Sequence, residues 1–538
     1  MGRRPAQSGG GGLAVSDDDQ DARPTASQPE APPGSLTKIV VRGASIAGAG
    51  YVVSQVISFG AYLTLARLLT PSDFGVFAAA IVLVGVGQVV GESGMLAALI
   101  QRREGLEEAL ESAFVATLAG GLLLSALALA AAPLVGLFFH HHDTALVAAA
   151  MSATMLFRLT AIVPSALLQR RFSFIRRVAI DPLGMLAFAA GSIIPAALGL
   201  GVWSLVIGVY SQLIVDLIGA WCFAGWRPHP RRASVRVWRE LARFGRPVVL
   251  AEVIRQAIPQ LPVIALGRVA GAGAVGQFSY AQRVAQQPPD AIVSIGAYVL
   301  LPALARLAVD QRRFRAALTR GLRWMCAISF PLGMLLFALG TPAIVLVFGE
   351  RWRAAGEAVI PLGVYAAVLA LDSIGSEVWK SAGRTDMLPR MHGLSLVLMA
   401  ALIAAFVVPF GLIGVTTAIA LSGVGVAVYA TYGIHKVADV PISSLLAEIW
   451  PPGLAAAVIG GGLFCLEHFV VHSASRGTVA GLALLATEAA LSLAVYMVCL
   501  PALSSGARAD LMAALGGVRR RRRTRRTRPD LVTLLDGS

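Results

Sequence analysis

The chain has 538 residues, with 45 Lys and Arg against 30 Asp and Glu and a formal net charge of +15. Apolar residues make up 56% of it and charged residues only 14%, at a mean hydropathy of +0.72, which excludes an ordinary soluble domain. No Gly-rich phosphate loop follows a strand and no polar stretch could hold a nucleotide-binding domain, so ATP hydrolysis by this chain is excluded as well.

Residues 1–37 are rich in Gly, Pro, Ser and Asp, have no signal-like apolar run and are expected to form a disordered cytoplasmic extension. Windows of about 20 apolar residues, each long enough to cross a bilayer, then follow between Ala44 and Pro501; fourteen can be marked. The first, Ala44 to Ala66, ends in "ARLLTPSDFG", where Pro71 fixes a turn and Asp73 keeps it in water. The uncharged run from Met391 to Ile434 is too long for one span, and "VPFG" at Val408 to Gly411 divides it. The expected fold is an all-α polytopic membrane protein: a six-helix bundle over 38–226, a basic linker 227–246, a second bundle 247–437, two further helices over 438–505 and a polybasic tail 506–538.

The arginines orient this scheme, because short cytoplasmic loops carry an excess of Lys and Arg. With the N-terminus inside, 37 of the 45 basic residues are cytoplasmic and five are outside: Arg67, Arg268, Arg351, Arg353 and Arg476. Three, Arg158, Arg255 and Arg283, fall within spans. Both termini are therefore expected in the cytoplasm. The run Arg519 to Arg528 reinforces that orientation and could bind anionic lipids; nucleic acid is not an expected partner. Cys222, Cys326, Cys465 and Cys499 each stand alone in a span and suggest neither a disulfide nor a metal.

A shift of 201 residues lays "LARLLTPSDFGVFAAA", from Leu65, on "LGRVAGAGAVGQFSYA", from Leu266. It pairs Gln55 with Gln256, Arg67 with Arg268, Gly75 with Gly276 and Phe77 with Phe278. A shift of six spans preserves orientation, so the halves form a parallel repeat with a substrate path expected between them. "GLGVWSL" from Gly199 and "GLIGVTTA" from Gly411 are a weaker echo, needing a one-residue gap.

Polar residues facing lipid are costly, so those within spans mark a wet interior. Tyr51, Gln55, Ser58 and Tyr62 share one face of span one; Gln88 and Glu92 lie a turn apart in span two. Span seven carries Glu252, Arg255, Gln256 and Gln260, and span eight Arg283, Gln286, Gln287 and Asp290. These four helices, related in pairs by the repeat, are expected to line a central cleft. Glu252 and Arg255 could equally neutralise one another, three residues apart. Glu252, Asp290 and Asp372 are candidates for ion coupling, since a buried carboxylate can exchange its charge for a proton or cation. Arg158 lies in a span without a polar stripe and reads as structural, and Glu488 interrupts span fourteen without an evident partner. "HHHD" at His140 could collect a metal but sits on an outer turn, and "EHFVVH" at Glu467, with its Glu outside the two His and no third ligand, does not match the zinc-binding helix of proteases. No metal, cofactor or catalytic residue is expected.

"ARLLTPSDFGVFAAA", "LQRRFSF" from Leu168 and "VFGERWRAAGEAVIPL" from Val347 resemble motifs of the polysaccharide transporter (oligosaccharide flippase) family within the multidrug/oligosaccharidyl-lipid/polysaccharide exporter superfamily. The resemblance covers about Lys38 to Lys436. It implies two six-helix bundles around a cleft and movement of undecaprenyl-pyrophosphate-linked oligosaccharide across the bacterial inner membrane, by a transporter rather than an enzyme. Polysaccharide polymerase and glycosyltransferases would be its partners. The residues fit that substrate: Arg255 and Arg283 offer cations for phosphates, with Gln55, Gln256, Gln286, Tyr51 and Tyr62 for hydroxyls. Multidrug efflux and peptidoglycan-precursor flipping within the superfamily are the alternatives, and a membrane polymerase or glycosyltransferase ranks below them, because the outer connections are short.

Overall fold

The computed structural model describes residues 33–101, 105–140, 142–170, 174–287 and 310–510, with 289 and 512. Helices in chain order are α1 (Pro33–Leu68), α2 (Pro71–Gln101), α3 (Leu106–Phe139), α4 (His142–Ser152), α5 (Thr154–Thr160), α6 (Ile162–Arg170), α7 (Phe174–Ala197), α8 (Trp203–Ala224), α9 (Val235–Ala257) and α10 (Gln260–Val269). Then come α11 (271–287), α12 (Gln311–Phe348), α13 (Arg353–Ser381), α14 (Met387–Ala438), α15 (Ile442–Leu466) and α16 (Thr478–Leu503). Among the described residues there is no strand, and ten helices or helix runs are long and apolar enough to cross a membrane. Leu137, Val408 and Val498, more than 70% exposed, are what a lipid-facing surface requires.

Local chemistry sets the breaks. Thr70 accepts from the Asp73 backbone N–H while Asp73 takes both the Thr70 hydroxyl (2.7 Å) and N–H (2.8 Å), a reciprocal cap that starts α2 with Pro71 at its first position. α14 contains two arms: Gly411, at φ 53° and ψ −125°, turns the chain where "VPFG" predicted it. The arms press so closely that a Cβ on Gly414 would overlap the Phe406 carbonyl. Gly199, in the echoed motif before α8, likewise has positive φ. Span seven, expected as one helix, is broken between α9 and α10, because Pro259 has no N–H to continue the ladder.

The repeat is visible as a reciprocal contact. A Cβ on Gly75 would overlap the carbonyl of Ala272, and one on Gly276 would overlap the carbonyl of Pro71. Each contact is the other displaced by 201 residues, as at a local two-fold axis. Leu65, Leu266, Ala80 and Ala281, paired by the same register, are all fully buried around it.

The two ends of the molecule differ. At one, residues before α9 fold onto the start of α3, with the His229 N–H donating to Glu111 (2.7 Å) and the Ser234 N–H to the Ser112 hydroxyl (2.9 Å). The same chemistry recurs where Arg323 forks onto Glu448 (2.6 and 2.8 Å) and reaches Asp510 (2.8 Å). The other end gathers the turns holding Arg67, Arg268 and Arg351.

Candidate functional site

At the Arg67 end the halves are joined by carbonyl-seeking cations. Arg67 donates to the Val347 carbonyl (3.1 and 2.6 Å), and Arg351 returns bonds to the carbonyls of Leu69 and Arg67 (both 3.2 Å). Trp352 Nε1 donates to Ala66 O (3.0 Å); Gln277 donates to Arg351 O (2.7 Å) and accepts from the Ala355 N–H (2.9 Å). These bonds unite the two motifs "ARLLTPSDFG" and "VFGERW", so the first motif's turn is one side of a closure. Arg268 lies 3.4 Å from the His140 ring, so the "HHHD" stretch abuts this closure too.

Beneath the closure lies an aromatic plug. Tyr280 sits 4.0 Å, centroid to centroid, from Trp352, 4.8 Å from Phe74 and 5.3 Å from Phe348. Its hydroxyl donates to Tyr62 O at 2.5 Å, tying α11 to α1. One turn further along α11, the Arg283 guanidinium lies 3.5 Å over the Tyr62 ring, a cation–π contact bridging the halves. Tyr62 in turn packs on Phe188 of α7 (5.6 Å). Among the described residues Arg283 has no carboxylate partner; its contact is the Tyr62 ring.

The other expected site residues are placed less uniformly. Gln55 and Tyr51 bond to each other (3.3 Å) on α1. Gln256 and Gln286 are half-buried on α9 and α11. Arg255 is bound in a fork to Glu252, one bond being 2.8 Å, and His392 of α14 stands within electrostatic range of the pair. Mutual neutralisation is thus the arrangement the structure holds. Asp290 and the side chains of Gln88 and Glu92 lie outside the described residues. Asp372 borders a cavity of about 50 Å³ with Tyr365, Ser395 and Ser422, and its Oδ1 is buried without a hydrogen-bond partner among the described residues. That space suits a few waters or one small cation.

A further cluster escaped the sequence reading. Gln212 and Asp216 of α8, Asp181 of α7 and Arg158 of α5 stand close enough for the others to act on the charge of Asp216. Asp216 Oδ1 rests against Gly184, where a Cβ would overlap it. At 100° per residue Asp181 lies opposite the exposed Leu183, Leu186 and Ile194, on the side of Phe188. Asp181 itself is exposed, roughly 10 Å along α7 from the buried Phe188. The lone acids, dispersed over separate helices, gave no stripe; only the presence of Arg158 in a span hinted at them. Arg158→Ala is expected to destabilise the detergent-solubilised protein by roughly 1–3 kcal/mol, by leaving like charges uncompensated, and Asp216→Asn should restore part of the loss. Thermal unfolding measures both; unchanged midpoints would refute the coupling.

Residues 64–357 match the family model described as "Polysaccharide biosynthesis protein". The succinoglycan biosynthesis transport protein ExoT of Rhizobium meliloti is 26% identical over 333 residues, covering 60% of this chain and 65% of that protein, less than two thirds of its length. The teichuronic acid biosynthesis protein TuaB of Bacillus subtilis is 22% identical over 453 residues, 82% of this chain and 92% of the relative. Among solved structures, the lipid II flippase MurJ in an inward closed conformation superposes with a TM-score of 0.68 at 15% identity, over 84% of this chain and 97% of that one. A multidrug resistance MATE transporter follows at 0.59 and 14%, over 73% and 98%. At these identities the two structures speak for the fold alone.

Proposed function

Because the chain belongs to the polysaccharide biosynthesis protein family, we propose that it flips lipid-pyrophosphate-linked oligosaccharide, a polysaccharide repeat unit, from the cytoplasmic to the outer leaflet of the bacterial inner membrane. It is a transporter, not an enzyme. The observation that carries this reading is Arg283, an inward cation without a carboxylate partner among the described residues, held between the halves below a closed end. A pyrophosphate needs such a donor, and tyrosines and glutamines around it suit sugar hydroxyls. The names of the sequence relatives, succinoglycan and teichuronic acid, point to glycan assembly.

In this reading fourteen spans form two six-helix bundles and an appended pair, with both termini inside, so the Arg67 end is the outer, release end. Alternating access would open it while the cytoplasmic end shuts. Secreted-reporter fusions after His142 and Arg353 are expected to be active and one after Arg236 silent; activity at Arg236 overturns the orientation. The polyarginine run is read as a contact for anionic lipid, and a polymerase and glycosyltransferases as neighbours in the pathway.

Ion coupling, if the cycle uses it, falls to Asp372 rather than to Glu252, whose charge Arg255 already meets. Asp372→Asn is then expected to abolish any dependence of transport on a proton or sodium gradient, measured in vesicles with each gradient imposed separately. Undiminished gradient dependence in the variant excludes that assignment.

Reconstitution tests the function itself. In vesicles containing lipid-pyrophosphate oligosaccharide in both leaflets, an impermeant sugar-oxidising reagent reaches about half of it without a flippase. The protein should raise that towards all. Access that stays at half, with expulsion of a cationic drug instead, would favour the efflux alternative.

A further inference from the structure

Two features of the sequence remain outside the transport path: "EHFVVH" and the isolated Glu488. The structure brings them together at the release end. α15 runs into a π-helical turn, Glu467–Val471, after which His472 takes the left-handed conformation at φ 51°. Both geometries are uncommon and concentrate at functional positions. The turn is held by Glu467, 6% exposed, whose two oxygens accept from the Ser473 N–H and hydroxyl, each at 2.8 Å. Across from it on α16 stands Glu488, 9% exposed, with both oxygens lacking a hydrogen-bond partner among the described residues and only Glu467's carboxylate to face. Glu488 faces Glu467 and does not itself line the cavity that adjoins this turn.

Glu467 forms part of the wall of a cavity of about 590 Å³ between this turn and the α12–α13 connection, large enough for one or two sugar rings. The remaining chemistry comes from Glu350, Arg353, Glu357, Phe464, His468 and His472. The three glutamates outweigh Arg353, so phosphates and uronates are disfavoured. Carboxylates and imidazoles accept from hydroxyl or ammonium groups, and the Glu350–Arg353 pair can exchange partners with a ligand. Phe464 and His468 stack at 5.6 Å and 6°, offering a flat face to the C–H side of a sugar ring. Glu350 shares its short helical turn with Arg351 and Trp352 of the closure, which sets the cavity beside the gate.

We propose that this cavity is a glycan-binding site at the release end, taking a neutral or amino-bearing oligosaccharide. It rests on the flippase reading for why a glycan should arrive there, but binding can be measured without transport. The full chain in lipid nanodiscs would be probed by saturation-transfer NMR with maltohexaose, a chitosan hexamer and hexagalacturonate. The first two should show saturable transfer, the uronate at least tenfold less. Glu357→Ala with His468→Ala, both exposed positions, should cut transfer at least fivefold, and Glu357→Arg should admit the uronate; Arg232→Ala, at the opposite end, should change nothing. Transfer that survives the double variant, uronate binding as strong as the neutral sugar, or no transfer to either of the first two probes would overturn the site. Loss of transfer in Arg283→Ala would move the glycan to the cleft, overturning this site and leaving the flippase reading intact.

Discussion

Leucine in place of Gly276 is expected to hold the Arg67 end open and to abolish transport while the protein still reaches the membrane. The contact at Gly276 is backbone against backbone, onto Pro71 O and the Gly75 N–H, so no rotamer can make room. The turns must part, and with them go the Tyr280–Tyr62 bond, the Trp352–Ala66 bond and the exchanges of Arg67 and Arg351 with opposing carbonyls. Hydrogen bonds from charged donors contribute roughly 1.5–3 kcal/mol each. Losing two of them shifts a two-state equilibrium by about two orders of magnitude or more. Ser58, 4% exposed on the cleft face of α1, reports the result: as cysteine in a background lacking the native thiols it should label slowly from outside, and much faster with Gly276→Leu. Gly75→Leu should do the same, because the contact is reciprocal. Slow labelling together with normal transport in both variants would show that this contact does not gate the cleft.

That contact also explains why the repeat could be read from one chain. Gly75 and Gly276 occupy places where any side chain meets a carbonyl, and Leu65, Ala80 and their partners fill a packed axis, so identity persists where geometry leaves no freedom. Turn signals were legible for the same local reason: Thr70–Pro71–Asp73 cap their own helix, and Gly411 takes a conformation that side chains resist. The break of span seven at Pro259 was equally local, but the polar residues around it read as a stripe on one continuous helix.

Sites drawn from separate helices were less legible. Periodicity found Tyr62 and Arg283 because each lies on a polar stripe, although nothing in either stripe said that the two would touch. Arg158, Asp181 and Asp216 share no helix, and Glu467 and Glu488 belong to two of them; each looked solitary along the chain. The outer arginines served in the sequence only as a topological minority. Their bonds to carbonyls across the halves depend on where loops end, which hydropathy does not encode.

Arg283→Ala is expected to stop transport at substrate capture, with protein level and fold retained and lipid-linked oligosaccharide building up on the cytoplasmic leaflet. The guanidinium rests on Tyr62 rather than on a carboxylate among the described residues, so its removal is expected to cost little stability, unlike the loss of Arg158. What is lost is the charge-assisted bonding to pyrophosphate, about 1.5–3 kcal/mol, or a factor of roughly 10 to 150 in affinity. Lysine should restore only part of this: it keeps the charge but lacks the planar fork that stacks on an aromatic ring and bonds phosphate through two N–H groups. Tyr62→Phe should be mild and Tyr62→Ala severe, since the ring face, not the hydroxyl, steadies the guanidinium. Arg255→Ala is expected to act differently, by freeing the Glu252 carboxylate into the cleft, where it would repel an anionic substrate, so Glu252→Gln should suppress it. Accumulated substrate is measured by extracting lipid-linked oligosaccharide and testing its accessibility from each side in oriented vesicles. Wild-type export by Arg283→Ala and by Tyr62→Ala would remove the cation between the halves from the mechanism.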